Sequence, residues 1–523
     1  MEPECILAID LGTSGPKVAL VTTEGEVLAA EVESTELFLS DGGGAEQDPD
    51  DWWRAITAAT RRITDRELVP RERILAVAVT SQWAGTVPVD QAGNALGRAM
   101  IWLDSRGAKY VPEVAGGLIR IQGYGARKLE SWLRKTGGVP SLAGKEPVAH
   151  ILFLRRERPE IYAAAYKFME PKDYLNLRLT GKFLATVDSI ALHWVTDNRD
   201  INDIKYDHKL LAQTTIPREK LPDLTRAVDV IGTLTPRAAG ELGLQENTKV
   251  VGGTPDVPAA AVGSGAVGDF DGHLYVGTSS WLTCHVPFKK TDLIHNMASL
   301  PSALPGRYFI GNEQETAGAC MTWLRDNVLC RDDVLDPGGP PANVFDRLNQ
   351  LAAEAPAGSD KLIFTPWLYG EHTPVADHNL RAAFSNVSLR TTRAHMVRAV
   401  MEGVAYNTRW LMRGVESFIS RPFEGIRFIG GGAKSELWCQ IFADVLDRPI
   451  DQVADPLSAN VRGAAFVAAV GLGKLEVEDI PSRVPIEKRY TPDAGNRAIY
   501  DELFKAFLEI QKNNAAMYRR LNG

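Results

Sequence analysis

Residues 8 to 25, AIDLGTSGPKVALVTTEG, read as an apolar strand, a Gly-Thr-Ser turn and a second apolar strand, and a weaker echo, LYVGTSSWLTCHVP, recurs at residues 274 to 287. A hairpin of this kind is stripped of bulk at its tip and can hold a phosphate group. Gly12 and Gly15 let backbone N–H groups approach an anion, Thr13 and Ser14 add hydroxyl donors, and Lys17 adds a positive charge just beyond the turn. Asp10 offers a hard carboxylate for magnesium or its waters, which makes it the candidate metal residue. The second copy, with Gly277, Thr278, Ser279 and Ser280, has neither that carboxylate nor that lysine. Two such hairpins suggest two similar half-molecules facing one nucleotide. Taken alone, each is equally well an ordinary tight turn.

Context narrows the choice. A chain of 523 residues is too long for one core and predicts two large domains. The net charge of -8 argues against broad binding to nucleic acid or an anionic membrane, so any phosphate site must be local. Five scattered cysteines with no C-x-x-C pair indicate neither a disulfide framework nor a zinc site. No basic leader and no apolar run of membrane-spanning length stand in the sequence, so a cytoplasmic enzyme is expected.

Along the chain, strands are expected near residues 5 to 10, 17 to 23 and 26 to 33. A helix announced by Asp48-Pro49 follows, with Trp52, Trp53, Ile56, Ala59 and Ile63 on helical spacing, and then a buried strand, RILAVAVTSQ, that ends at Gln82. The same order recurs in GHLYVGTS, WLTCHVPF and RYFIGNE, followed by the helical TAGACMTWLRDNVL, which implies duplicated units. A helical stretch from about Pro147 to Leu179 separates the halves. After Thr391 an amphipathic helix carries Val397, Val400, Met401, Val404, Thr408, Leu411, Val415 and Phe418 on one buried stripe.

Two junctions matter most. In GIRFIGGGAKSELWCQIFADVLDRPI three glycines, Gly430 to Gly432, join a strand to a helix, either as a tight turn or as bare backbone against a ligand; the spacing is neither a P-loop nor a Rossmann fingerprint. In TKVVGGTPDVPAAAVGSGAV, Asp256 stands before a small-residue helix. It reads as an N-cap, or as a carboxylate that the helix dipole keeps ionised to accept a proton from a hydroxyl.

From about Cys5 to Gly473 the chain resembles the FGGY carbohydrate kinases, in particular xylulokinase-like members. The resemblance rests on an ordered set: DLGTSGPK, SQWAG, IWLDSRG, PKDYLNLRLTG, GGTPDVPAAAVGSGAV, VGTSS, GEHTPVAD with RAVMEGVAYN, and GGGAKSELWCQIFADVLDRPI. It implies an α/β protein of two actin-like, ribonuclease-H-like domains flanking a deep catalytic cleft. Residues 1–256 would form the sugar side, 257–480 the ATP side and 481–523 a C-terminal helical extension. The implied activity is ATP-dependent phosphorylation, with magnesium, of a hydroxyl on a small ketose or polyol. Asp256 matches the family's catalytic base and Asp10 its magnesium-associated aspartate. Thr13, Ser14 and Lys17, with Gly277 and Thr278, match the phosphate loops, and Gly431, Gly432 and Ala433 the adenine-side loop. Gln82, Trp83, Asp104 and Arg106, with Asp256, match the sugar side. No nucleic-acid or membrane partner is implied, and a homodimer is the default expectation.

Several positions depart from the family. Trp83 and Ala84 stand where typical xylulokinases carry Met-His, Val257 follows the base where a polar side chain is common, and Trp102-Leu103-Asp104 replaces Trp-Asn-Asp. Apolar groups thus replace hydroxyl contacts, which disfavours glycerol, puts D-xylulose in question and points to a less hydroxylated, deoxy or differently configured substrate. Trp83 either stacks on a sugar face or belongs to the core beneath the cleft. A sugar-sensing pseudokinase and a non-catalytic actin-like ATPase are the alternative readings.

Overall fold

The computed structural model describes residues 2–333 and 338–523. Its first half is built on a six-stranded sheet in the order Val230–Thr233, Lys249–Pro255, Ile74–Ser81, Cys5–Gly12, Gly15–Thr22, Val27–Val32. The hairpin strands Cys5–Gly12 and Gly15–Thr22 run antiparallel, Ile74–Ser81 and Lys249–Pro255 continue parallel to the first, and Val230–Thr233 closes the edge antiparallel. The second half repeats this series of pairings. Ser280–Thr283 and Gly272–Val276 form its hairpin, Ile426–Ile429 and Ile450–Val453 follow in parallel, and Ile486–Tyr490 closes the edge antiparallel. The duplication expected from the two Gly-Thr-Ser hairpins is therefore present in the strand pairings.

The period-two alternation of the first sheet sorts its side chains by size. Leu7, Ile9, Leu11, Val18 and Leu20 face the helix Pro49–Thr64, packing on its Trp52, Trp53, Ile56 and Ile63. The opposite face presents Ile6, Ala8, Ala19, Val21, Ala76 and Ala78, and on these small side chains lies the helix Ala459–Gly471 through Val461, Ala464, Ala465 and Ala468. That helix comes from the second half, where its Ala459, Phe466, Val467 and Ala469 pack with Ile429 and Val453. It crosses the helix Asp256–Gly263 with backbones nearly touching: a Cβ on Gly263 would stand 1.7 Å from the Ala459 carbonyl, and one on Gly463 1.9 Å from that of Ala259. No side chain can be relocated to relieve such a contact. Gly463→Ala is expected to destabilise the fold by about 2 kcal/mol in equilibrium urea unfolding, whereas alanine at the exposed, uncrowded Gly240 serves as the control.

Three details correct the sequence reading. The strand Tyr308–Gly311 does not join the second sheet but pairs with Met297–Pro301 and His285–Val286 in a separate four-stranded antiparallel sheet. This small sheet supports the helical region of the first half: Tyr308 donates to the Asn198 carbonyl at 2.8 Å and Thr291 to that of Gly137 at 2.6 Å. The stretch 147 to 179 is divided by Pro159 and Pro171 into three helices, because proline cannot donate within a continuing helix. Residues 481–523 are no appendage: Ile486–Tyr490 is a strand of the second sheet, and the helix Arg497–Asn522 buries Tyr500, Leu503, Phe504 and Phe507 in the second core. The helix expected after Thr391 spans Arg393–Ile419 with its whole predicted stripe buried. No helix among the described residues is long and apolar enough to cross a membrane.

Candidate active site

The tip of the first hairpin is the two residues Thr13 and Ser14, with Gly12 paired to Gly15. The two glycines have different reasons. Gly15 has φ +136, and a Cβ there would lie 2.1 Å from the Glu33 carbonyl, so chain packing requires it. A Cβ on Gly12 would make only an ordinary 3.5 Å contact, so nothing in the fold itself demands a bare backbone at that point. Ser14 is exposed, while Thr13 is held by neighbours: its hydroxyl donates to Gln82 Oε1 at 3.2 Å and accepts from Trp102 Nε1 at 2.9 Å, and its carbonyl accepts from Gln47 Nε2 at 2.8 Å. Gln82 Nε2 donates in turn to Gln47 Oε1 at 2.7 Å. The Lys17 ammonium reaches across to the second half and donates to the Leu457 carbonyl at 2.6 Å.

Of three half-buried carboxylates, Asp10, Asp256 and Glu313, Asp256 feels the charges of the other two. Burial pushes Asp10 up to about 6, against the pull of Lys17 and a hydrogen bond from Asn460. Burial, then the nearby Asp10 and Glu313 charges, push Asp256 up to about 8. Burial and Glu315 push Glu313 up to about 7, while Lys145 and a Ser279 hydrogen bond act in the other direction. Asp256 is the first residue of its helix, preceded by Pro255 as N-cap, and its Oδ1 accepts from the Val257 N–H at 2.9 Å. It therefore does not cap the helix as a residue one position earlier would, and among the described residues no other side chain bonds its carboxylate.

The residues expected on a sugar side divide. Trp83 is half-buried; its Nε1 donates to the Ser189 carbonyl at 2.8 Å and its ring lies 6.0 Å from that of Phe309. Val257, Leu192 and Phe309 share its apolar cluster. Gln82, by contrast, is 2 % exposed and committed to the Thr13–Gln47 network. Asp104 is fully buried; its carboxylate accepts from the Ala45 N–H at 3.0 Å, the Arg106 N–H at 3.0 Å and the Arg106 guanidinium at 2.5 Å. Arg106 also bonds Glu46 at 2.7 Å and lies over the Phe153 ring. The structure thus places Asp104 and Arg106 behind the wall, as its framework, and leaves Asp104 no accessible oxygen.

In the second half, Thr278 is exposed at its hairpin tip, and its carbonyl accepts from the Ala317 N–H at 2.9 Å. Gly277 is fixed by packing, since a Cβ there would strike the Tyr275 hydroxyl at 2.1 Å. Tyr275 stacks on Trp281, with centroids 4.0 Å apart, and burial together with the Asp256 and Asp10 charges holds its hydroxyl up to about 12. Of the three consecutive glycines, Gly430 and Gly432 are dictated by contact with Val276, whereas a Cβ on the exposed Gly431 would meet nothing within 4 Å. Ala433 is buried and its carbonyl accepts from Gln452 Nε2 at 2.7 Å. Within this loop Gly431 presents open backbone.

Residues 5–263 match the N-terminal domain, and residues 273–472 the C-terminal domain, of the FGGY family of carbohydrate kinases. The chain belongs to that family. A xylulose kinase of Escherichia coli is 28% identical to it over 520 residues, covering 96% of this chain and 98% of that protein, and a gluconokinase of Bacillus subtilis is 24% identical over 509 residues, covering 97% and 95%. Among solved structures, a gluconate kinase from Lactobacillus acidophilus superposes with a TM-score of 0.85 at 25% identity, covering 99% of both chains. A ligand-bound xylulose kinase from the same organism gives 0.84 at 25%, again over 99% of both. The chain is accordingly an ATP-dependent sugar kinase that works with magnesium.

The residues of this kinase fit those groups. The Asp10 charge raises the proton affinity of Asp256, and a hard divalent cation relieves that repulsion; magnesium asks for only one or two carboxylates and takes its other ligands from water and phosphate. This agrees with a site where, among the described residues, no three His, Cys, Asp or Glu side chains form a cage. The open backbone at Gly12 and Gly431 is of the kind that a phosphate and a flat base approach. Gly431→Val is expected to leave the thermal midpoint unchanged and to raise the KM for ATP about tenfold, equivalent to ~1.4 kcal/mol of binding. Sequence reasoning missed Gln47, Trp102, Glu313 and Tyr275. Gln47 lies far from Thr13 in sequence and carries no motif of its own, Trp102 lies in the IWLDSRG motif with nothing local to link it to Thr13, Tyr275 sits in a strand that reads as core, and Glu313 lies just beyond another.

Proposed function

We propose that this kinase transfers the γ-phosphoryl group of ATP to a hydroxyl of a small ketose or polyol, with Asp256 as the general base. The observation that carries the proposal is a half-buried carboxylate within electrostatic reach of Asp10 on one hairpin and Tyr275 on the other, next to Val257, which shares an apolar cluster with Trp83. A carboxylate poised between protonation states near neutrality is suited to take a proton as the hydroxyl oxygen attacks in line. Thr13 and Ser14 on one hairpin and Thr278 on the other hold the phosphates in this scheme. Lys17, on leaving the Leu457 carbonyl, spreads the developing charge. Magnesium bound with the nucleotide, next to Asp10, supplies further positive charge to the phosphates. Gln82 and Trp102 act by orienting Thr13, and Gly431 borders the adenine above the buried Gly432 and Ala433. Since such a kinase draws on ATP, its place of work is the cytoplasm.

The apolar wall of Trp83, Leu192, Val257 and Phe309 supports a substrate with fewer hydroxyls, or hydroxyls differently placed, than D-xylulose. ADP release measured across D-xylulose, L-xylulose, D-ribulose, D-gluconate, xylitol and their deoxy counterparts tests this. A deoxy or epimeric member is expected to exceed D-xylulose in kcat/KM by tenfold or more, equivalent to ~1.4 kcal/mol. D-xylulose as the best substrate, with a low KM, would remove the proposal about the sugar while leaving the assignment of the base intact.

A further inference from the structure

Two buried polar side chains beside this pocket lack the partners that burial demands. Glu170 is 1 % exposed; its Oε2 accepts from the Gly85 N–H at 3.0 Å, and its Oε1 has no hydrogen-bond partner. His193 is 1 % exposed and neither of its ring nitrogens has a partner. His193 Nδ1 lies 3.6 Å from Glu170 Oε1, beyond hydrogen-bond distance, so the two groups face each other without closing the contact. Nearby His150, equally buried, shows what a satisfied histidine looks like here: its nitrogens lie 3.2 Å from Thr86 Oγ1 and 3.1 Å from the Asp104 carbonyl. Leaving a buried polar atom unpaired costs about 1–3 kcal/mol. Three such atoms in one place signal an absent partner.

The elements that hold this pair are the elements of the pocket. Gly85, which Glu170 holds, follows Trp83 and Ala84, and Ala84 has φ 62, so the Glu170 contact helps fix the turn that presents Trp83. His193 ends the short turn Ser189–His193, whose Ser189 carbonyl holds the Trp83 indole and whose Leu192 packs in the cluster of Trp83 and Val257. Thr254, two residues before the base, bonds Asp188 at the start of the same turn. The Asp256 charge is itself felt at Glu170.

We propose that Glu170 and His193 are the polar end of the sugar pocket, where together they bind a hydroxyl of the substrate remote from the one that is phosphorylated and thereby select its configuration. The proposal rests on the assignment of the sugar side to the Trp83–Asp256 region. Burial favours the neutral form of both: with Asp173 and Asp256 close by it pushes Glu170 well above the usual carboxylate range, against Gly85 and Lys172, and with His150 it holds His193 down to about 3. A neutral acid and a neutral imidazole suit an uncharged hydroxyl, which donates and accepts at once. This supplies a polar contact that Val257 and Trp83 cannot, and it makes an analogue without that hydroxyl a poor ligand.

The test is calorimetric sugar binding without nucleotide, using the best-turned-over member of the panel above and each of its monodeoxy analogues, on the wild type, His193→Leu, His193→Gln and Glu170→Gln. His193→Leu is expected to weaken binding of the parent sugar about 100-fold, to leave the KM for ATP within twofold, and to lose nothing further on one particular deoxy analogue. His193→Gln and Glu170→Gln, which keep neutral hydrogen-bonding groups, are expected to retain most of the affinity. Equal losses on every analogue, or unchanged affinity in folded His193→Leu as expected if an internal water satisfies the pair, would overturn the proposal. Because the readout is ground-state binding, it stands apart from the role of Asp256: turnover surviving in Asp256→Asn would defeat the base assignment without touching this one.

Discussion

Asp256→Asn is expected to lower kcat by about 10³-fold, the scale of a lost general base, with sugar affinity little changed. The same variant is expected to be more stable than the wild type at pH 8. The folded-state value of about 8 lies above the reference 3.8, so ionising Asp256 costs the folded protein stability. The cost is absent below about pH 4, grows as pH rises, and is complete above about 8. Cleft water reaches the half-buried carboxylate and reduces the penalty, so the gain at pH 8 is put at about 2 kcal/mol, vanishing by pH 4. Turnover followed by ADP release, beside urea unfolding at both pH values, checks the two halves together. A variant that loses activity and stability in parallel would show Asp256 to be a structural group. In the wild type, kcat/KM for the sugar is expected to climb with pH, to be half-maximal near 8 and to level off only above that, because only the ionised carboxylate accepts a proton.

Arg106→Ala is expected to act on stability where a sugar ligand would act on binding. The guanidinium neutralises a fully buried Asp104 carboxylate and also holds Glu46, so its removal strands a charge in the interior at a cost of about 3 kcal/mol. Lysine, a point charge without the planar fork that engages Asp104 and Glu46 together, is expected to recover only part of this. The loss belongs in the urea midpoint. If Arg106→Ala instead kept its midpoint and raised the sugar KM tenfold or more, by at least ~1.4 kcal/mol, Arg106 would be a substrate contact, as the family resemblance implies.

These two residues illustrate where the sequence was informative. Asp256 stands out in the sequence at a strand-to-helix junction of small residues, and in the structure it lies within electrostatic reach of Asp10 on the first hairpin and Tyr275 on the second. Asp104 and Arg106 share a motif just as recognisable, yet their side chains close on each other behind the wall. A motif preserves which residues occur together; it does not say whether a side chain turns towards the ligand or towards its neighbour. The glycines divide in the same way. Gly431 faces open space and Gly12 only an ordinary contact, while Gly15, Gly277, Gly430 and Gly432 answer to a carbonyl, a tyrosine or a valine brought in by tertiary packing.

The sequence by itself determined the duplicated hairpin-led halves, the amphipathic helices Pro49–Thr64 and Arg393–Ile419, and the strand-to-helix junction at Asp256. These depend on spacing along the chain, on periods of two and 3.6 residues and on turn chemistry, which are local and so written locally. Tertiary structure alone decided that a helix of the second half lies on the first sheet, with Gly263 and Gly463 in backbone contact. It alone decided that Tyr308–Gly311 leaves its expected sheet, and that Glu170 and His193 meet beside Trp83. Those outcomes depend on contacts between residues distant in the chain, whose burial and partners exist only once the core has closed around them.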